Sequence, residues 1–184
     1  MERRVFLQLP LLASFLALEA KSQSQEHSTK GFVVRAKDDR AQEELHIMGG
    51  QFDCKVSSKD SNGALLIYDT YREEKGGPAY HLHYSQDEFF YILKGEFVIK
   101  VGEDTFNLKP GDFAFAPRNI PHAFAKVSDG EGQMLVGFQP AGSMEDFFHQ
   151  MSKLGRSIPK DQEKTLQELW AAHGMKIIGP PLKV

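Results

Sequence analysis

His81-Leu82-His83 places two imidazoles one residue apart. Side chains on a strand alternate between faces with a period of two, so both rings fall on the same side. Glu88 opens the apolar run Phe89-Phe90-Tyr91-Ile92-Leu93, and His122 follows Pro121 downstream. Antiparallel strands can aim these four side chains at one point. Imidazole nitrogen and carboxylate oxygen together suit one divalent transition metal, and these donor types leave iron, manganese, nickel, cobalt, copper and zinc all open. His-x-His alone is weak, because two such residues can face solvent on any strand. Glu88 and His122 make the pair a candidate site. Asp87 falls on the face opposite Glu88 and is expected to be exposed.

The surrounding segments must supply the strands. From Gly50 onward the chain becomes short apolar runs separated by turn residues. Strands are predicted over residues 51–56, 64–71, 79–83, 88–93, 97–101, 105–108, 113–116, 122–127 and 133–138. Many short strands at near-even spacing indicate an all-β sandwich or barrel, and a jelly roll handles its edges with two packed sheets. Alternation sets Glu88, Phe90 and Ile92 on one face and His122 with Phe124 on another. Tyr68, with Leu66 and Thr70, adds to the wall. Tyr68, Phe90, Ile92 and Phe124 are therefore candidate lining for a small-molecule pocket, although core packing is the commoner role for any single one of them.

The stretch over residues 76–126 resembles the cupin pattern. His81, His83, Glu88 and Gly95 match its first motif, and Gly111, Pro117 and His122 match part of its second. Lys75 stands where the first motif has its leading Gly, Asn119 replaces a Gly, and Lys126 replaces an Asn. Asn tolerates the left-handed backbone region better than most residues, so the turn at Asn119 is expected to survive. The resemblance implies a cupin jelly-roll barrel (a double-stranded β-helix) that holds a metal through His81, His83, Glu88 and His122.

Residues 63–142, the helix that follows and the Gly-rich, Pro-rich ending resemble the single-domain, quercetinase-like cupins. That resemblance implies a dioxygenase in which a metal brings a flavonol-like or other enolisable small molecule together with O₂. Glu88 would be both ligand and general base, its proton affinity tuned toward the working pH by apolar walls. A non-redox isomerase or lyase, and a non-catalytic cupin that binds a small ligand or stores metal, are the competing classes.

The ends of the chain read differently. Met1-Glu2-Arg3-Arg4 precedes a mostly apolar run to Ala20, which reads as a cleaved export signal over residues 1–20 and predicts a periplasmic or extracellular protein with no membrane span after processing. Arg3-Arg4-Val5-Phe6-Leu7 also resembles the twin-arginine export signal, against the plainer reading of a general signal with two ordinary arginines. Residues 21–45 form a polar lead-in, and residues 31–34 suggest a short strand or an arm; exchanged between two copies, that arm would make a homodimer. The barrel is expected over residues 46–142, with a C-terminal α-helical extension over residues 143–184.

In that extension Met144, Phe147, Phe148, Met151 and Leu154 form one helical stripe, with Ser143 as N-cap. Leu166, Leu169, Trp170 and His173 form another, begun by Asp161 and closed by Gly174. Both stripes are expected to pack on the barrel. His27, His46, His149 and His173 read as structural or exposed. The chain has 184 residues, one Cys and a formal net charge of −3, so the mild acidity gives no reason to expect nucleic-acid binding. Cys54 reads as a small core residue rather than a nucleophile.

Overall fold

A computed structural model describes residues 30–154 and 163–184. The expected export signal, residues 21–29 of the polar lead-in and the Asp161 helix start lie outside the described residues. No helix among the described residues is long and apolar enough to cross a membrane.

The chain forms β1 (Leu45–Ile47), β2 (Gly50–Val56), β3 (Leu66–Arg72), β4 (Ala79–His83), β5 (Asp87–Lys94) and β6 (Phe97–Val101). Then come β7 (Asp104–Leu108), β8 (Phe113–Ala116), β9 (His122–Lys126) and β10 (Gly132–Gln139). Helices α1 (Met144–Lys153) and α2 (Glu163–Ala172) follow, and β11 (Met175–Pro181) ends the fold. The strands make two antiparallel sheets, ordered β1-β2-β3-β10-β5-β8 and β11-β4-β9-β6-β7. This is the jelly-roll arrangement.

Alternation selects the inner faces. Leu66, Tyr68 and Thr70 of β3 and Glu88, Phe90 and Ile92 of β5 are buried, as are His81 and His83 of β4, while Tyr80 and Leu82 between them are only half-buried. Gly95 turns the chain between β5 and β6 at φ +78°, where an added Cβ would stand 2.9 Å from the Ser128 hydroxyl. Gly77 lets the segment before β4 run against β9, since a Cβ there would lie 1.9 Å from the Phe124 carbonyl oxygen. Asn119 adopts φ +64°, so the expected left-handed turn is present.

Three expectations for the tail and arm change. Residues 175–181 are a strand, not part of a helical extension: β11 pairs antiparallel with β4, setting Ile177 opposite His81 and Met175 opposite His83. Ser143 precedes α1 but makes no capping bond; its hydroxyl accepts from His173 Nδ1 at 3.0 Å and ties the start of α1 to the end of α2. Residues 31–34 form no strand within the chain, and Phe32 instead lies beneath the Arg40 guanidinium, 4.3 Å away.

The helices pack where the two stripes require. Phe148 meets Phe52, Tyr68 and Phe138 at centroid distances of 5.3, 4.9 and 5.5 Å. Trp170 of α2 meets Phe147 of α1 at 5.3 Å. Glu145 in the first turn of α1 accepts hydrogen bonds from Ser57 Oγ and the Ser58 N–H, both at 3.0 Å, which pins the helix to the β2–β3 loop. Cys54 is buried, and burial pushes its thiol pKa well above the ordinary value. Lys126 is fully buried on β9, donating to the Glu73 and Ser128 carbonyls at 2.8 Å each.

Candidate metal centre

The two sheets bring the four residues together. β4 supplies His81 and His83, and its neighbour β9 supplies His122, registered directly against His81. Glu88 comes from β5 in the opposite sheet. All four are buried, and their ligand atoms lie within 4.8 Å of one another.

The hydrogen bonds fix which nitrogens converge. A carbonyl can only accept, so the 2.7 Å contact of His81 Nδ1 to Ala79 O makes Nδ1 the protonated nitrogen. The same holds for His122 Nδ1 against Ile120 O at 2.9 Å. In the neutral rings, Nε2 then presents a lone pair inward. His81 Nε2 lies 3.2 Å from His83 Nε2, and Glu88 Oε2 lies 2.8 Å from His122 Nε2, 3.2 Å from His83 Nε2 and 3.9 Å from His81 Nε2. Acceptors this close repel unless a proton or a cation lies between them. Donors each about 2.1 Å from one ion stand about 3.0 Å apart at right angles, so the spacings fit a shared cation. The cluster could hold a metal ion.

Electrostatics describe the same concentration of charge. Burial and the neighbouring His122 push His81 down to about 3, with Glu88 opposing. Burial would raise Glu88, but hydrogen bonds from His122 and His83 outweigh it and hold the carboxyl well below its usual range. Burial would lower His122, and Glu88 outweighs it, so His122 is raised. Asp87 is not simply exposed: it receives Arg118 Nε at 3.0 Å and Nη2 at 2.7 Å, and the arginine holds its carboxyl down at about 2.

A cavity of about 60 Å³ opens onto the cluster. His81, His83 and Glu88 reach it, whereas His122 is wholly buried behind them. Of the four residues expected to wall a pocket, Phe124 lines this cavity. Tyr68, Phe90 and Ile92 are fully buried and lie outside its lining; they face inward, but deeper in the core. The rest of the wall includes Phe147, Phe148, Trp170 and Met175, contributed by the helices and β11, together with Arg72 from the end of β3. Trp170 is the chain's one tryptophan, and Arg72 continues the inward register of Leu66, Tyr68 and Thr70; these were the available signals for two residues that motif spacing does not reach. The remaining histidines among the described residues take no part. His149 pairs with Glu43 at 3.1 Å, His46 with Glu44 at 3.7 Å, and His173 binds Ser143 and Gln150.

A family model described as a cupin domain matches residues 70–152. An uncharacterised protein of Methanocaldococcus jannaschii is 30% identical over 66 residues, 36% of this chain and 53% of that protein. The quercetin 2,3-dioxygenase of Bacillus subtilis is 26% identical over 93 residues, 50% of this chain and 27% of that enzyme. The matched stretch thus spans about half the length of the first relative and about a quarter of the second. The crystal structure of an RmlC-like cupin from Shewanella frigidimarina superposes with a TM-score of 0.50 at 24% identity, covering 67% of this chain and 98% of that one, which shows a shared fold. Sequence motif, family model and architecture converge on one scaffold: the chain belongs to the cupin superfamily.

Proposed function

We propose that this protein is an exported, metal-dependent dioxygenase acting on an enolisable small molecule, with His81, His83, Glu88 and His122 as the metal ligands. The observation that carries this reading is the convergence of three imidazole nitrogens and one carboxylate oxygen, all buried, at the floor of an apolar cavity. The distant likeness to a quercetin 2,3-dioxygenase supports the reaction class.

Bound there, a divalent ion such as iron, manganese, nickel, cobalt, copper or zinc would supply Lewis acidity and a template for substrate and O₂. The protein's own groups do the rest. The backbone carbonyls of Ala79 and Ile120 hold the rings of His81 and His122 with Nε2 inward. Glu88 Oε1 makes no hydrogen bond to a described residue, and we assign it as the atom that takes the substrate's hydroxyl proton. Trp170, Phe147 and Phe148 exclude water from the reacting face.

The test is oxygen uptake by protein reconstituted with each candidate metal, offered acetylacetone and a panel of flavonols. The reading predicts uptake with at least one compact enol and a redox-active metal. Absence of uptake with every metal, alongside substrate isomerisation or simple ligand-induced stabilisation, would favour the isomerase or binding-protein reading.

A further inference from the structure

The cavity wall holds one residue with no part in the metal cluster and with chemistry to offer a ligand. Among the described residues, Arg72 is the only lysine or arginine lining the cavity onto which His81, His83 and Glu88 open. It lies at the end of β3 in inward register with Leu66, Tyr68 and Thr70, where strand alternation normally places an apolar side chain. Its guanidinium donates to the Met48 carbonyl through Nη1 at 2.8 Å and makes no ion pair with any described residue. Four of its five N–H groups are therefore not committed to the protein.

The β1–β2 turn leaves room for this side chain. A Cβ added at Gly50 would stand 3.3 Å from Arg72 Nη2, and one added at Gly49 would stand 3.5 Å from Nη1. The two glycines thus let the guanidinium lie close against the turn, and the same Gly49 position is 3.1 Å from Glu74 Oε2.

The charges around Arg72 are asymmetric. Arg72 also borders an outer cleft lined by Glu73, Glu74, Glu131 and His46, and Glu74 is the acid whose charge reaches it. On the cavity side the only carboxylate is Glu88, whose Oε2 is engaged by His122 and His83. Arg72, with four N–H groups not bonded to a described residue, thus borders both the acidic outer cleft and a small apolar cavity in which Glu88 is the one carboxylate among the lining residues.

We infer that the substrate is an anion and that Arg72 anchors its carboxylate, so that the molecule spans the cavity from Arg72 to the metal cluster. A planar fork of N–H donors matches a carboxylate in bidentate fashion, and the apolar walls strengthen that pairing by excluding water. The cavity then accepts a compact enolisable acid, such as a 2-oxo acid, in preference to a neutral enol of equal size. This inference rests on the metal-site reading for the second end of the substrate, but Arg72 acts as a positioning residue whether or not oxygen is consumed.

The test compares pyruvate with methyl pyruvate, which differ in charge at one end, by calorimetric binding to metal-loaded protein. Wild-type protein is expected to bind the acid roughly tenfold to hundredfold more tightly than the ester. Arg72→Gln should remove that preference while leaving ester affinity and metal content unchanged, and Arg72→Lys should restore part of it. Thermal melting of each variant verifies folding, and Arg72→Lys keeps the result decisive if Arg72→Gln does not fold. Equal affinity for acid and ester in wild-type protein, failure of both to bind, or an acid preference that survives in folded Arg72→Gln would overturn the inference. Oxygen uptake with neutral enols but no acid preference would remove the anchor and leave the dioxygenase reading in place. An acid preference without oxygen uptake would do the reverse.

Discussion

Trp170 stands edge-on to His81, with ring centroids 4.8 Å apart and planes at 84°. The contact joins the second helix to the strand that carries two of the four candidate ligands. The same indole meets Phe147 at 5.3 Å and lines the cavity, so one side chain seals the site and anchors the C-terminal helix.

Trp170 is 4% exposed, so truncating it leaves a void that its neighbours fill only in part. Trp170→Ala should cost about 3–5 kcal/mol of stability, read from urea unfolding. Trp170→Phe should cost clearly less. A loss below about 1 kcal/mol for the alanine variant would mean that α2 does not pack on the barrel as described.

Most of the barrel was legible because strand alternation and turn residues are local signals. The predicted strand over residues 79–83 coincides with β4, and those over residues 97–101 and 113–116 coincide with β6 and β8. β11 was not legible. Gly179-Pro180-Pro181 reads as a terminator, yet β11 lies at the edge of its sheet, where a missing N–H costs no ladder bond, and its register shifts around Gly179. The spacing of His81, His83, Glu88 and His122 foretold their convergence. The cavity wall was less accessible, because alternation gives the face of a residue but not its depth. Tyr68, Phe90 and Ile92 face inward yet are not among the residues that line the cavity, while Trp170, Phe147 and Met175 reach it from elements placed by long-range packing.

Glu88→Gln tests the assigned base. The amide keeps the size and one oxygen donor but cannot take a proton. Metal content should fall less than twofold while turnover falls about a hundredfold or more. Intact turnover in the metal-loaded variant would remove Glu88 from the proton transfer.

Cys54 tests the core. Burial raises its thiol above the ordinary value of 9.0, so the native chain should resist alkylation at pH 8 and react once unfolded in urea. The sign of the linkage follows. The folded state keeps its proton where the unfolded thiol gives one up, so this stability is full below pH 9.0 and is lost as pH rises above it. Rapid labelling of native protein would contradict the burial.

Export by the twin-arginine route predicts that changing Arg3 and Arg4 together to Lys stops delivery of the protein outside the cytoplasm, measured by fractionation of the host. Undiminished export would favour the general route.

The most direct test of the metal centre is elemental analysis of protein purified from its own host, together with His83→Ala and His149→Ala. The donor geometry predicts close to one equivalent of a transition metal in the wild type, a loss of at least tenfold in His83→Ala, and no change in His149→Ala, whose ring pairs with Glu43 instead. Metal-free wild-type protein that binds no added metal, or equal loss in both variants, would contradict the assignment of the site.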